Sequence, residues 1–259
     1  MEHNKSTVEL LDHMGEDLDV VNAARVSFDK ESESLNQEDI NLLDYLIREA
    51  HTGPLEQVEF KFRITCPLPI GEQMIRHRTA NVNKISYRYV KAGEEEYFVP
   101  EVFRKQAKNN KQGSGENFHT AENEKITKKY KSAVKEAYKV YEEMVDLGVA
   151  KEMARFILPT AVITKFIWKI DLHNLLHFLK LRLDTHAQKE IQEIAQAMYT
   201  LIKPIVPHII AAWEERVLYA VTFSRGEMTI LKRLIADHPV YFDVLNDRDR
   251  RILEDKIRV

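Results

Sequence analysis

From Gln57 to Cys66 the chain keeps a period of two: Val58, Phe60, Phe62 and Ile64 fall on one face, Glu59, Lys61, Arg63 and Thr65 on the other. Side chains of a strand point alternately to opposite faces, so the pattern predicts a half-buried β-strand. Lys84 to Val90 alternates in the same way and predicts a second strand, and Val162 to Ile170 is β-rich. Half-buried strands need partners and a covering layer. Only 8 Gly and 8 Pro interrupt 259 residues, so helix should supply most of the remainder.

The helical spacing can be read segment by segment. Asp19 to Phe28 predicts a short helix capped by Asp19, and Gln37 to Ala50 a longer one with Ile40, Leu43, Leu46 and Ile47 on one side. Pro67 and Pro69 suit the first turn of a helix running to about Arg78. A long amphipathic helix carries Ile126, Tyr130, Ala133, Ala137, Tyr141 and Met144 on one face and stops at Gly148. A short helix ends at Leu158, before Pro159. Asp171 caps a helix with Leu172, Leu175, Leu176, Leu179 and Leu183 as its stripe, and another spans Ala187 to Ile202. The polar stretch Arg104 to Asn123 predicts a surface loop. The expected fold is a single α+β domain over residues 1–223, with mixed helices and a small, mostly antiparallel sheet. A helical C-terminal extension, charged and helix-prone, covers 224–259.

Charge and cysteine usage narrow the function. With 38 basic against 41 acidic residues the formal net charge is −3, which is not the balance of a polybasic nucleic-acid or membrane binder. Cys66 is the single cysteine, so an intramolecular disulfide and a Cys-only zinc site are excluded. Met-Glu-His-Asn-Lys opens the chain without the apolar run of a secretory signal, and no apolar stretch approaches the ~20 residues of a membrane span. The expectation is a soluble, cytoplasmic protein with no membrane partner.

The densest polar constellation is Gln73, Arg76, His77 and Arg78, followed by Lys84, Ser86 and Arg88. Adjacent cations repel unless something anionic sits among them, and arginine forks with a serine hydroxyl match a phosphate. Solvated cations with acidic partners are the plainer explanation of such a run by itself. Gly113-Ser114-Gly115 lacks the third glycine of a dinucleotide fingerprint and sits in a polar stretch, so it is spurious.

The order of the residues adds to this. Arg76-His77-Arg78, seven residues, then Ser86-x-Arg88 resembles the signature of the flavin-dependent thymidylate synthases. Ala23-Ala24-Arg25-Val26-Ser27-Phe28, His51 with Pro54 and Glu56, and Gln73 are similar to earlier landmarks of that family. Glu152-x-Ala154-Arg155-x-x-Leu158-Pro159 and Leu181-Arg182-x-Asp184-x-His186-Ala187-Gln188 are similar to later ones. Asn81 stands where the family pattern usually has serine, Lys84 where Glu or Gln is common, and Gly53 in place of a threonine.

The resemblance implies transfer of the methylene carbon of 5,10-methylenetetrahydrofolate to C5 of dUMP, with FAD carrying the hydride and NADPH reducing the flavin. It implies a homotetramer with active sites shared between subunits and small-molecule partners only. On it, Gln73, Arg76, Lys84, Ser86, Tyr87, Arg88, Arg155 and Arg182 contact dUMP, and Arg182 is catalytic, pairing with the uracil edge and favouring ionisation at N3. Gly53, Arg76, His77, Arg78, Thr79, Lys84, Asp171, His173 and His177 contact FAD, and no metal is required. Such a reaction uses no cysteine nucleophile, which agrees with Cys66 reading as a small half-buried hydrophobe.

Two rivals remain at this level. His173 and His177 at i and i+4, with His186 and Glu190 downstream, have the spacing of a metal-dependent nucleotide hydrolase, although Asn174 occupies the place of the zincin glutamate. Arg76 to Lys91 with Tyr87, Tyr89 and Tyr97 resembles a basic strand with stacking platforms, as in a nucleic-acid-binding module.

Overall fold

The computed structural model describes residues 2–3, 5–92, 97–108, 113–236 and 245–257. The chain divides into two compact units, Met1–Leu218 and Tyr219–Val259. The first unit opens with β1 (Glu2–His3), β2 (Thr7–Met14), α1 (Asp17–Arg25), α2 (Gln37–Arg48), β3 (Glu59–Pro67), α3 (Leu68–Ile75) and β4 (Asn81–Lys84). It continues with β5 (Tyr97–Phe98), β6 (Arg104–Gln106), β7 (Ser114–Asn117), α4 (Thr120–Asp146) and α5 (Lys151–Ala154). It closes with β8 (Ile163–Asp171), α6 (Leu172–Arg182), α7 (Lys189–Ile202) and α8 (Pro207–Trp213). The second unit holds α9 (Arg225–Ala236) and α10 (Asp247–Ile257).

The main sheet is antiparallel in the order β2-β3-β8-β4. In β3 the period of two buries Phe60, Phe62, Ile64 and Cys66. Across the ladder these face Ile170, Trp168, Phe166 and Thr164 of β8, all buried as well. Charged pairs occupy the other face: Lys169 Nζ meets Glu59 Oε1 at 2.6 Å, and Arg63 reaches Glu9 Oε2 of β2 at 2.6 Å. Leu175, Leu176, Phe178 and Leu179 of α6, with Ile191, Ile194 and Met198 of α7, join the apolar face to form the main core. α3 approaches β8 closely, because a Cβ on Gly71 would lie 2.8 Å from Thr164 Cγ2. A second core gathers Val134, Tyr138 and Tyr141 of α4 against Tyr97, Val99 and Val162.

Several expectations need correction. Lys84 to Val90 is not a strand: β4 ends at Lys84, and Tyr89 N and Val90 N both turn back to Ser86 O. The helix after Pro67 ends at Ile75 rather than Arg78. Asp19 does not cap α1; the N-cap is Glu16, and Asp19 is its capping-box partner three residues in. The buried stripe of α4 runs through Val134 and Tyr138, whereas Ala133 is exposed. Within Arg104–Asn123 lie the β6–β7 hairpin and the start of α4; residues 109–112 lie outside the described set. β2 pairs along β3 with a bulge between Leu10 and Asp12, an irregularity that blurs its alternation. Among the described residues no helix is long and apolar enough to cross a membrane.

Candidate active site

The turn after β4 builds one wall of a cavity of ≈ 440 Å³, with Lys84, Ser86 and Tyr87 on one side and Arg155, Phe156 and Thr164 on the other. The turn is fastened in two ways. Ile85 N donates to Lys165 O at 2.9 Å, and the Tyr87 hydroxyl donates to the carbonyl of Ile163. Lys84 Nζ leans back to Glu72 Oε1 at 2.5 Å. Arg155 forms no hydrogen bond or ion pair to another side chain among the described residues, and the same holds for Arg76 and Arg78. The buried Thr164 Oγ1 also lacks a partner there. Arg88 faces Glu152 at 3.4 Å on the surface and does not line this cavity.

The end of α6 carries a second cluster. Arg182 donates from Nε and Nη2 to His77 Nε2 at 3.3 and 3.2 Å. A nitrogen facing two guanidinium N–H groups must accept, which places the His77 proton on Nδ1. Burial, the Arg182 charge and His177 together push the His77 pKa down to about 4, so the ring is neutral at physiological pH. Phe178 packs edge-on against it at 4.9 Å between centroids. Beside it, Gln73 of α3 donates to Gln188 Oε1 at 2.7 Å.

His173 and His177 open onto a third place, a cavity of ≈ 180 Å³ shared with His51, Thr52, Leu46 and Trp213. Its neighbour, of ≈ 720 Å³, shares Leu46 and His51 and adds Ser27, Tyr45 and Gly53. The segment carrying Ser27 is fixed from below, because the fully buried Asp39 of α2 pairs with Arg25 and accepts from Ser32 Oγ at 3.2 Å. Asp171 uses both carboxylate oxygens to cap α6, accepting from Asn174 N at 2.9 Å and Asn174 Nδ2 at 2.7 Å. Lys180 caps the carbonyls of Val217 and Leu218 at 2.6 and 2.8 Å, which closes the far side of the smaller cavity.

One chain therefore brings Lys84, Ser86, Tyr87 and Arg155 together, and elsewhere His77 with Arg182; His177, which lines the third cavity with His173, joins that second cluster edge-on to His77 at 6.3 Å between ring centroids. Arg78 and Thr79 are exposed. The contributions of Thr52, Trp213 and Glu72 carry no motif; each enters by packing across elements distant in sequence. The rival clusters do not form. His186 binds Asp184 Oδ1 at 2.8 Å and Glu190 pairs with Arg104, so neither joins His173 and His177. No group of three or more His, Cys, Asp or Glu able to hold a metal occurs among the described residues. Tyr97 is buried in the second core, which removes one of the three stacking platforms.

Comparison with known proteins gives a consistent picture. The family model for thymidylate synthase complementing protein matches residues 9–208. A flavin-dependent thymidylate synthase of Thermus thermophilus is 45% identical over 232 residues, covering 90% of this chain and 84% of that one. One from Ehrlichia ruminantium is 40% identical, covering 92% and 80%. The crystal structure of a UMP/dUMP methylase, PolB from Streptomyces cacaoi bound with 5-Br dUMP, superposes with a TM-score of 0.76 at 29% identity, over 83% of this chain and 97% of that one. With a family match running from β2 to α8 and relatives aligned over most of both chains, this chain belongs to the flavin-dependent thymidylate synthase family.

Proposed function

We propose that the protein converts dUMP to dTMP, taking the carbon from 5,10-methylenetetrahydrofolate and using FAD and NADPH as its reducing system. The observation that supports this best is the 440 Å³ cavity, lined by Lys84, Ser86 and by Arg155, which has no side-chain partner among the described residues. A planar fork and a hydroxyl lining one cavity suit a phosphate ester. Tyr87, Arg76 and Arg88 complete the nucleotide contacts on this reading, and Gln73 meets the sugar.

Arg182 is the group placed against the uracil edge. Its partner His77 is neutral, so the guanidinium keeps its full positive charge, which a carboxylate partner would cancel. Fixed positive charge beside N3 stabilises the anion that activates the base, with no covalent nucleophile. Burial pushes the Cys66 thiol up to about 12, which leaves it protonated and unsuited to attack.

The residues around His51 fit a flavin. Leu46 and Trp213 give apolar walls, while imidazoles and hydroxyls offer hydrogen bonds to ring carbonyls and nitrogens. Gly53 has open space where a side chain would be, so backbone alone faces the ligand. His77, Arg78, Thr79, Asp171, His173, His177 and Lys84 belong to the same cofactor surface on this reading. The flavin, when bound, supplies the hydride. Arg182 does not line the Ser86 cavity of its own chain, which supports a site joining residues of different subunits, in a homotetramer on this reading. The reading also takes residues 1–223 as the catalytic domain, 224–259 as a helical extension, and the cytoplasm as its location.

An absorbance spectrum tests it directly. Flavin bands should survive gel filtration after addition of FAD and shift on addition of dUMP; a colourless protein that retains no flavin overturns the reading. Arg182→Ala should abolish dTMP formation with flavin and assembly retained, and loss of flavin from that variant would move Arg182 out of the base site.

A further inference from the structure

A chain of polar contacts leaves Gln73 and ends in the β6–β7 hairpin. Gln73 Nε2 donates to Gln188 Oε1 at 2.7 Å, and Gln188 Nε2 donates to Glu190 Oε2 at 2.9 Å. Arg104 holds both Glu190 oxygens from one nitrogen at 2.8 Å each, and its Nε donates to Ser114 Oγ at 3.0 Å. We infer that Glu190, clamped by Arg104, is a positioning residue for dUMP, which acts through Gln188 to turn the carbonyl oxygen of the Gln73 amide toward the sugar. The inference rests on the dUMP reading of Gln73 given above.

The polarity of the chain follows from the group at its end. Burial works against charge on Glu190, but hydrogen bonds from its own backbone, Gln188 and Arg104 outweigh it and hold the carboxyl below its usual range. An ionised carboxylate only accepts. Gln188 must therefore present its NH2 to Glu190 and its oxygen to Gln73, and Gln73 must present its NH2 to Gln188. Gln188 is exposed, so packing does not fix its amide and the carboxylate does. What Gln73 turns away from Gln188 is an acceptor. Besides N3–H, which is given up when Arg182 favours the N3 anion, dUMP offers one donor, the 3′-hydroxyl. A polar hairpin without apolar periodicity thereby acquires a reason to be ordered.

The test compares dUMP with 2′,3′-dideoxyuridine 5′-monophosphate, each titrated into the flavin-loaded protein and followed by the flavin absorbance shift. The wild type should bind dUMP about three- to tenfold more tightly than the dideoxy nucleotide, as one neutral hydrogen bond predicts. Glu190→Gln, which can offer NH2 to Gln188 and reverse the relay, should lose that preference by weakening dUMP alone. Its kcat at saturating dUMP should stay close to wild type while KM rises. Gln188→Ala, at an exposed position, should do the same without lowering Tm and carries the test if Glu190→Gln does not fold. Equal weakening of both nucleotides, or an unchanged preference in both variants, overturns the inference. A wild type that holds flavin but binds neither nucleotide overturns the dUMP reading beneath it, and the inference falls with it.

Discussion

β3 and β4 flank the same strand, β8, yet β3 pairs with it over nine residues and β4 over four. β3 has a partner on each side over Glu59 to Thr65, so most of its backbone groups are paired on both edges and its alternate side chains are sealed in the core. β4 is an edge strand. After Lys84 one more bond, Ile85 N to Lys165 O, ties the chain to β8 before Tyr89 N and Val90 N turn back to Ser86 O, and this turn lines the Ser86 cavity. The comparison separates two uses of one kind of sequence pattern. The paired strand buries its alternate side chains in the core, and the strand that stops early leaves a turn that lines a cavity.

The comparison is broken most directly at Phe62, fully buried opposite Trp168. Phe62→Ala should cost about 3–5 kcal/mol in urea denaturation, and a loss under about 1 kcal/mol would show that β3 is not the stabilising element. His77, just past α3, gives the next effect. Its native pKa of about 4 lies below the ordinary 6.5, so the unfolded chain takes up a proton that the native ring refuses. That contribution is complete above pH 6.5 and is lost as pH falls toward 4. His77→Gln should therefore lose less stability than wild type between pH 7 and pH 4.5, and parallel losses would mean the ring is not held neutral. In the turn, Tyr87→Phe removes the bond to Ile163. It should weaken dUMP binding about three- to tenfold while lowering stability by no more than ~1 kcal/mol, the reverse of the Phe62 pattern. The smallest effect is at Cys66. Cys66→Ala should leave dTMP formation near wild type, and complete inactivation would make the thiol the nucleophile that its burial argues against.

Much of the fold is legible without coordinates wherever one residue period persists. β3, β8, α2, α6 and α7 keep theirs, and their buried residues follow. α4 shows the limit: Tyr130, Tyr141 and Met144 of the expected face do pack in the second core, but at the two alanine positions Val134 and Tyr138 are the buried residues instead. The β6–β7 hairpin has no apolar period to read. In the site, the ordered motifs named Ser86, Arg155, His77 and Arg182, because residue types and spacings survive in one dimension.

Which of those residues meet was decided in three dimensions. Arg182 found His77 across 105 positions of sequence, Gln73 found Gln188 across 115, and Lys84 found Glu72 on the preceding helix. By itself the sequence determined the periods of β3, β8, α2, α6 and α7, the Asp171 cap, the single thiol and the inventory of cations. Only the tertiary structure decided where β4 ends, which cations stay without a partner, and which amides lie in line, because hydrogen-bond geometry and burial depend on elements brought together by the core rather than on neighbours along the chain.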